Sequence, residues 1–161
     1  MRRVTALVGT LILGVVLSGT GSCSAGVGPD AEDNPGTEGT GSAAELRLRL
    51  TQWQALGPRS YSYDLRRVCF CGPDAVTPAR VEVRDGRVVD ARALVMPRPL
   101  LLELFDTIDA LFARAIEMAE SGGPVVVSYH PTLGYPTFLE IGTLANDAGV
   151  RYQVSKLVAL R

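Results

Sequence analysis

The sequence predicts an α+β fold: an antiparallel β-sheet of about five to six strands with two helices packed on one face, in the order α-β-β-β-α-β-β-β. Three observations predict it. Several short segments alternate apolar and polar residues, an Asp85-Gly86 pair separates two of them, and two longer stretches place apolar residues at helical spacing. Hairpin-type connections without regular βαβ alternation favour antiparallel pairing. At 161 residues the chain suits one domain with a single core.

Residues 1–22 read as a secretory signal. Arg2 and Arg3 precede an apolar run from Val4 to Leu17, and the small polar stretch Ser18 to Ser22 follows. The run is shorter than the roughly 20 apolar residues a spanning helix needs. Cys23 stands where a bacterial lipoprotein carries its acylated cysteine. Gly21 and Ser22 suit the positions before it, whereas Thr20 occupies a place usually held by an aliphatic residue. Diacylation there would anchor the chain stably; cleavage alone would release it. Residues 23–41 are Gly, Ser, Thr, Pro and acidic residues with almost nothing to bury, and read as a flexible tether. Residues 42–161 then form the single α+β domain.

Ser42 with Glu45 three residues later reads as a capping box opening the first helix. Leu46, Leu50 and Trp53 share one face, and Gly57-Pro58 stops it. Ser60 to Cys71 reads as a strand with Tyr61, Tyr63, Leu65, Cys69 and Cys71 toward the core and Ser60, Ser62, Asp64 and Arg66 outward. Val81 and Val83 continue the pattern, and Asp85-Gly86 has the residue chemistry of a type I′ hairpin returning through Val88 to Leu94. Pro97 and Pro99 interrupt the sheet. A second helix runs from near Leu101 or Asp106 to Glu120, with Ile108, Leu111, Phe112, Ala115 and Ala119 on one face. Strands follow at Val125 to His130, Thr137 to Ile141 and Arg151 to Leu157, the first two joined by the loop Pro131 to Pro136.

Charge narrows the partners. Removing residues 1–22 takes away two arginines and no acid, which moves the formal charge from −1 to −3. The remaining arginines are scattered beside acids and form no basic stripe, which argues against nucleic acid. It argues equally against anionic membrane surfaces, leaving the membrane only as the site of the N-terminal anchor or signal.

Cys69-Phe70-Cys71 most invites a functional reading, because two close thiols in an oxidising compartment rarely stay free. Two residues apart on a regular strand, their Cα atoms would lie about 6.5–7 Å from each other, at the edge of what a disulfide tolerates. A bond therefore requires a turn or bulge, which Gly72-Pro73 favours. Three readings stay open: a structural disulfide, a redox-active dithiol, and separate pairing or free thiols. The redox reading needs a thiolate favoured by a helix N-terminus or a nearby cation; no helix is evident after the pair, though Arg66 and Arg67 are close.

His130 is the single histidine. With cysteines at i and i+2 it makes a poor zinc set, so no metal is expected. No serine lies in a glycine-flanked elbow, no phosphate loop is present, and no cofactor or catalytic constellation is expected. Tyr129, Tyr135 and Tyr152 read first as half-buried sheet residues and secondly as a binding surface.

Trp53, the SYSY stretch Ser60 to Tyr63, Cys69 with Cys71, Val81 and Val83 before Asp85-Gly86, and Gly134-Tyr135-Pro136-Thr137 together resemble the exported bacterial family catalogued as domain of unknown function 6174. The resemblance spans Trp53 to Leu157. It departs from the family at Thr20 and at His130, where the family tends to carry an acidic residue. The resemblance implies an exported domain, often a lipoprotein, and no enzyme activity. The expected function is therefore a noncatalytic cell-envelope module, at the outer face of the cell membrane or secreted. It would bind a protein, peptide or cell-wall ligand through its sheet or a loop bearing His130 and Tyr135. The alternative is a thiol redox protein using Cys69 and Cys71.

Overall fold

Alternating side chains from Tyr61 to Leu65 need a pleated surface with one dry face, and the computed structural model, which describes residues 39–146 and 148–161, shows it. The strands are β1 Gly39–Thr40, β2 Tyr61–Cys69, β3 Ala79–Arg84, β4 Arg87–Ala93, β5 Val125–Tyr129, β6 Pro136–Ile141 and β7 Val150–Ala159. They form one antiparallel sheet in the order β1-β5-β6-β7-β2-β3-β4. Two meanders, β2-β3-β4 and β5-β6-β7, are thus joined where the last strand pairs with β2, from Tyr61 opposite Ala159 to Cys69 opposite Val150. The helices are α1 Ala43–Leu56, the single turn α2 Pro73–Val76, and α3 Ile108–Glu120, with 3₁₀ turns at Leu102–Leu104 and Leu144–Asn146. Among the described residues no helix is long and apolar enough to cross a membrane.

One face of the sheet is dry because α1 and α3 cover it. Leu46 and Trp53 of α1 and Ile108, Leu111, Phe112 and Ala115 of α3 are buried with Tyr61, Tyr63, Leu65, Val81 and Val83 in one core. Polar tips of the core aromatics are satisfied there. The Tyr61 hydroxyl accepts the Ile108 N–H at 3.0 Å, and the Tyr63 hydroxyl donates to the Asp106 carbonyl. One of the otherwise orphaned N–H groups at the start of α3 is paired in this way, and the Thr107 side chain accepts a second, from Ala110. Burial holds both phenols well above their ordinary range, so they stay neutral.

Asp85 and Gly86 both have positive φ, 47° and 76°, as the expected type I′ hairpin requires. The second helix begins later than the apolar pattern suggests. A 3₁₀ turn precedes it, and the Thr107 cap fixes its start at Ile108. Pro97 and Pro99 interrupt the sheet and also shield its edge. Ala93 N–H donates to the Arg98 carbonyl at 3.0 Å and Leu100 N–H to the Ala91 carbonyl at 2.9 Å, with Pro99 opposite Arg92. Proline has no N–H to offer a further strand.

The seventh strand is β1, made from residues the sequence places at the end of the tether. Gly39 and Thr40 pair with Val127 and Val126, and the Gly41 N–H donates to the Val125 carbonyl at 2.9 Å. A Cβ on Gly41 would lie 2.9 Å from Val127 Cγ1, so glycine permits the approach. The ordered domain thus starts at least three residues earlier than the change in composition at Ser42. The expected signal, Cys23 and the rest of the tether lie outside the described residues.

Asp64 points to the open face yet is buried, because Arg80 from β3 and Lys156 from β7 close over it. Lys156 reaches it through a bulge: its φ is 51°, the β2–β7 register shifts between Ser62 and Asp64, and its Nζ lies 3.4 Å from Asp64 Oδ2. Burial alone would raise the Asp64 carboxyl, but the hydrogen bond and charge of Arg80, then those of Lys156, outweigh it and hold it below its ordinary value of 3.8. The charged form therefore stabilises the fold fully above about pH 4, and that contribution is lost as pH falls through the depressed value. Both cations are well exposed, so solvent screens the charges and the buried hydrogen bond dominates. Asp64→Asn should cost about 1–3 kcal/mol in urea denaturation at about pH 7. The gap to wild type should narrow as pH falls below about 4; a gap unchanged on acidification would refute the assignment.

Candidate functional site

Two clefts flank α1. The larger, about 460 Å³, lies between its C-terminal end and the β3–β4 hairpin, with Trp53, Gln54, Arg59 and Asp109 in its wall. Its half-buried carboxylate is already engaged: Asp109 accepts from Trp53 Nε1 and from Gln54 Nε2, both at 3.0 Å. The smaller, about 270 Å³, lies between the N-terminal half of α1 and the end of β5, where Glu45, Arg49, Tyr129, His130 and Pro131 meet Gly39 of β1. Here buried polar atoms remain unspent.

Helix α1 presents the first two. Ser42 caps it, its side chain accepting the Glu45 N–H at 3.2 Å. The capping box is only half formed: among the described residues no bond returns from the Glu45 carboxylate to the Ser42 N–H, and that side chain lines the cleft instead. Arg49, one turn on, donates from Nη1 to Gln52 Oε1 at 3.1 Å, and its guanidinium lies 5.0 Å from the Tyr129 ring centroid. Its Nε is buried without a partner, and so is the Tyr129 hydroxyl. Tyr129 is fixed from behind by stacking on Phe112, with centroids 6.4 Å apart. Burial first, with Glu45 adding and Arg49 opposing, raises its phenol far above the ordinary range, so it is a neutral donor.

The loop after β5 supplies His130. Its Nδ1 accepts N–H bonds from Thr132 at 3.3 Å and Leu133 at 3.1 Å, which leaves the proton of the neutral ring on Nε2. Tyr135 stacks on the imidazole at 4.8 Å and meets Trp53 edge-on at 5.8 Å. Tyr135 is only 5% exposed, so of the two loop residues singled out by sequence, His130 lines the cleft and Tyr135 positions it from the core. Gln52 Nε2 donates to the Thr132 carbonyl at 2.9 Å, tying the loop to α1. Gly134 allows this contact: its φ is 77°, and a Cβ would lie 2.9 Å from Gln52. Tyr152 is buried and takes no part.

Cys69 and Cys71 lie at the opposite end of the sheet. Their sulfurs are at bonding distance, 2.04 Å, with Cα atoms 5.3 Å apart. The strand expected to reach Cys71 stops at Cys69, which supplies the turn that a bond requires. The helical turn α2 follows, where the sequence gives no helix signal, because four residues carry no periodicity. The neighbouring cations are turned elsewhere. Arg66 is on the exposed face, and Arg67 lies over the rings of Tyr152 and Phe105 with Nη2 3.6 Å from Asp106. Among the described residues no three His, Cys, Asp or Glu side chains gather as metal ligands would.

Glu45 and Arg49 are the site residues that sequence reasoning assigns elsewhere or passes over. Their signal is an i,i+4 acid–base pair on a helix, which ordinarily reads as surface pairing.

Disulfide closure of a three-residue loop constrains the unfolded chain little, by about 1.6 kcal/mol in the chain-entropy model against about 3 for fifteen residues. The double variant Cys69→Ser, Cys71→Ser should therefore lose no more than about 2 kcal/mol by urea denaturation under non-reducing conditions. A loss above about 3 kcal/mol would make the pair a structural staple.

The model of a family described as a family of unknown function (DUF6174) matches residues 45–159. No curated protein and no solved structure matches the chain.

Proposed function

The chain belongs to the DUF6174 family of unknown function, and from that premise we propose that it is a noncatalytic, exported cell-envelope module that binds a small polar or peptide ligand in the cleft between α1 and β5. One observation carries the reading. Of the buried side-chain polar atoms without a partner, Arg49 Nε and Tyr129 Oη belong to residues that line the same cleft. Such groups cost about 1–3 kcal/mol each when left unmade, and a fold retains them where something other than its own chain completes them. Binding is favoured over catalysis by the state of His130, whose Nδ1 is engaged and whose Nε2 is a donor.

Export is supported by the arginine-flanked apolar run before Ser18, and tethering by Cys23 with the acidic, glycine-rich stretch after it. Intact mass of the protein from its native membranes should show a chain beginning at Cys23 with a diacyl increment. A chain that keeps residues 1–22 would sink this placement.

The cleft reading also predicts a contrast among tyrosines. Tyr129→Phe removes an unpaired buried hydroxyl and should leave stability unchanged or raise it by up to about 1 kcal/mol, whereas Tyr61→Phe, whose hydroxyl accepts the Ile108 N–H, should cost about 1–2 kcal/mol. Equal losses in thermal unfolding would mean that the Tyr129 hydroxyl is structural, and the reading would lose its support.

A second reading, a thiol redox protein using Cys69 and Cys71, rests on the exposed position of Cys71 and the small stabilisation its loop provides. An external dithiol would give two electrons and two protons to the bond, becoming a disulfide itself. Reduction in a glutathione buffer near roughly −200 mV, followed by thiol alkylation and mass measurement, separates this from a structural bond, which would resist.

A further inference from the structure

Glu45 and Arg49 stand one helical turn apart, the spacing at which an acid and a base on a helix ordinarily close an ion pair. They do not close it. Arg49 makes no ion pair with any carboxylate of the described residues, whereas Arg47, one turn from neither, reaches Glu120 across to α3. The cause lies in what holds the guanidinium. Its Nη1 is bonded to Gln52, Gln52 is bonded in turn to the His130 loop, and the plane rests over the Tyr129 ring. These contacts hold the cation toward β5, and the cleft lies among the acid, the base and that strand.

Donors and acceptors in the cleft are unequally placed. Arg49, Tyr129 and His130 in its lining all carry donors, with Arg49 Nε and the Tyr129 hydroxyl buried unpaired behind the surface, and a single anionic group, Glu45, belongs to the same lining. Donors of this kind complete a carboxylate, and Arg49 is suited to it by its planar fork. An isolated carboxylate would leave Glu45 facing it unpaired. A ligand that carries an ammonium as well would satisfy both ends.

We propose that the cleft binds a small zwitterion, its carboxylate on Arg49 and Tyr129 and its ammonium on Glu45, as an amino acid or the termini of a short peptide would present them. This rests on the reading of the cleft as the binding site and names the ligand class within it.

Titration of the mature chain with four probes, followed by amide NMR shifts at Tyr129 and His130, tests it. Glycylglycine and glycine carry both charges, N-acetylglycine only the carboxylate, and glycinamide only the ammonium. At least one zwitterion should bind tenfold or more tightly than either single-ended probe, and the stronger of glycine and glycylglycine tells amino acid from peptide. Glu45→Gln should weaken zwitterion binding about tenfold and leave N-acetylglycine unaffected, while Arg49→Gln should weaken both. If N-acetylglycine binds as well as the zwitterions, the ligand class is wrong and the cleft remains an anion site. If no probe moves these resonances, the class and the cleft reading fall together.

Discussion

The architecture depends on the grip that β2 takes on the start of α3. Tyr61 and Tyr63 leave the sheet on the same face, and their hydroxyls meet the Ile108 N–H and the Asp106 carbonyl. Two aromatic rings thereby supply core volume, and their polar tips fix where the helix begins. The rest follows from that contact. Trp53 of α1 packs edge-on against Tyr61 at 5.3 Å, and on its other side against Tyr135, so the first helix and the loop after β5 are aligned by the same aromatic cluster. Glu45 and Arg49 lie on that helix and His130 on that loop. The core therefore sets the cleft's geometry, although none of Trp53, Tyr61 and Tyr135 lines it.

The domain's departures from ideal satisfaction are informative because they are few and unequal. Asp64 is buried on the open face, yet Arg80 and Lys156 complete it, and the Lys156 bulge exists in the backbone where that completion needs it. Arg67 Nε is buried without a hydrogen bond, but its guanidinium lies over two rings and near Asp106. Arg49 Nε and the Tyr129 hydroxyl have no such completion, although the guanidinium lies over the ring. Of the three buried side-chain polar atoms without a partner among the described residues, the two on Arg49 and Tyr129 belong to residues that line one concave site.

Where sequence spacing maps directly onto a repeating surface, the fold was legible. Alternation marked β2 and β3, Asp85-Gly86 marked the hairpin, and the face of Ile108, Leu111, Phe112 and Ala115 marked α3. Elements whose cause is a distant partner left no such mark. The strand β1 consists of two small residues held by backbone bonds to β5, α2 is one turn, and the Lys156 bulge answers a carboxylate 92 positions earlier in the sequence. For the site, His130 was visible as a singular residue in a loop. Arg49 was not, because an i,i+4 acid–base pair predicts closure, and only Gln52 and the Thr132 carbonyl explain why it stays open.

Strand polarity places the two unusual features at opposite ends. Cys69, Val150, Ile141 and Val125 are paired neighbours at one end of the sheet, while Tyr129 and Pro136 are paired toward the other. Gly39, opposite Val127 midway along β5, is also in the wall of the cleft. The Cys69–Cys71 turn, with Phe70 85% exposed at its apex, is the far end. A bond that closes so small a ring adds little to stability, but it restricts the backbone around that aromatic. Its physical effect is thus local to the far tip, independent of the cleft, and changes at one end need not disturb the other, because the intervening sheet is held by β2 and β7.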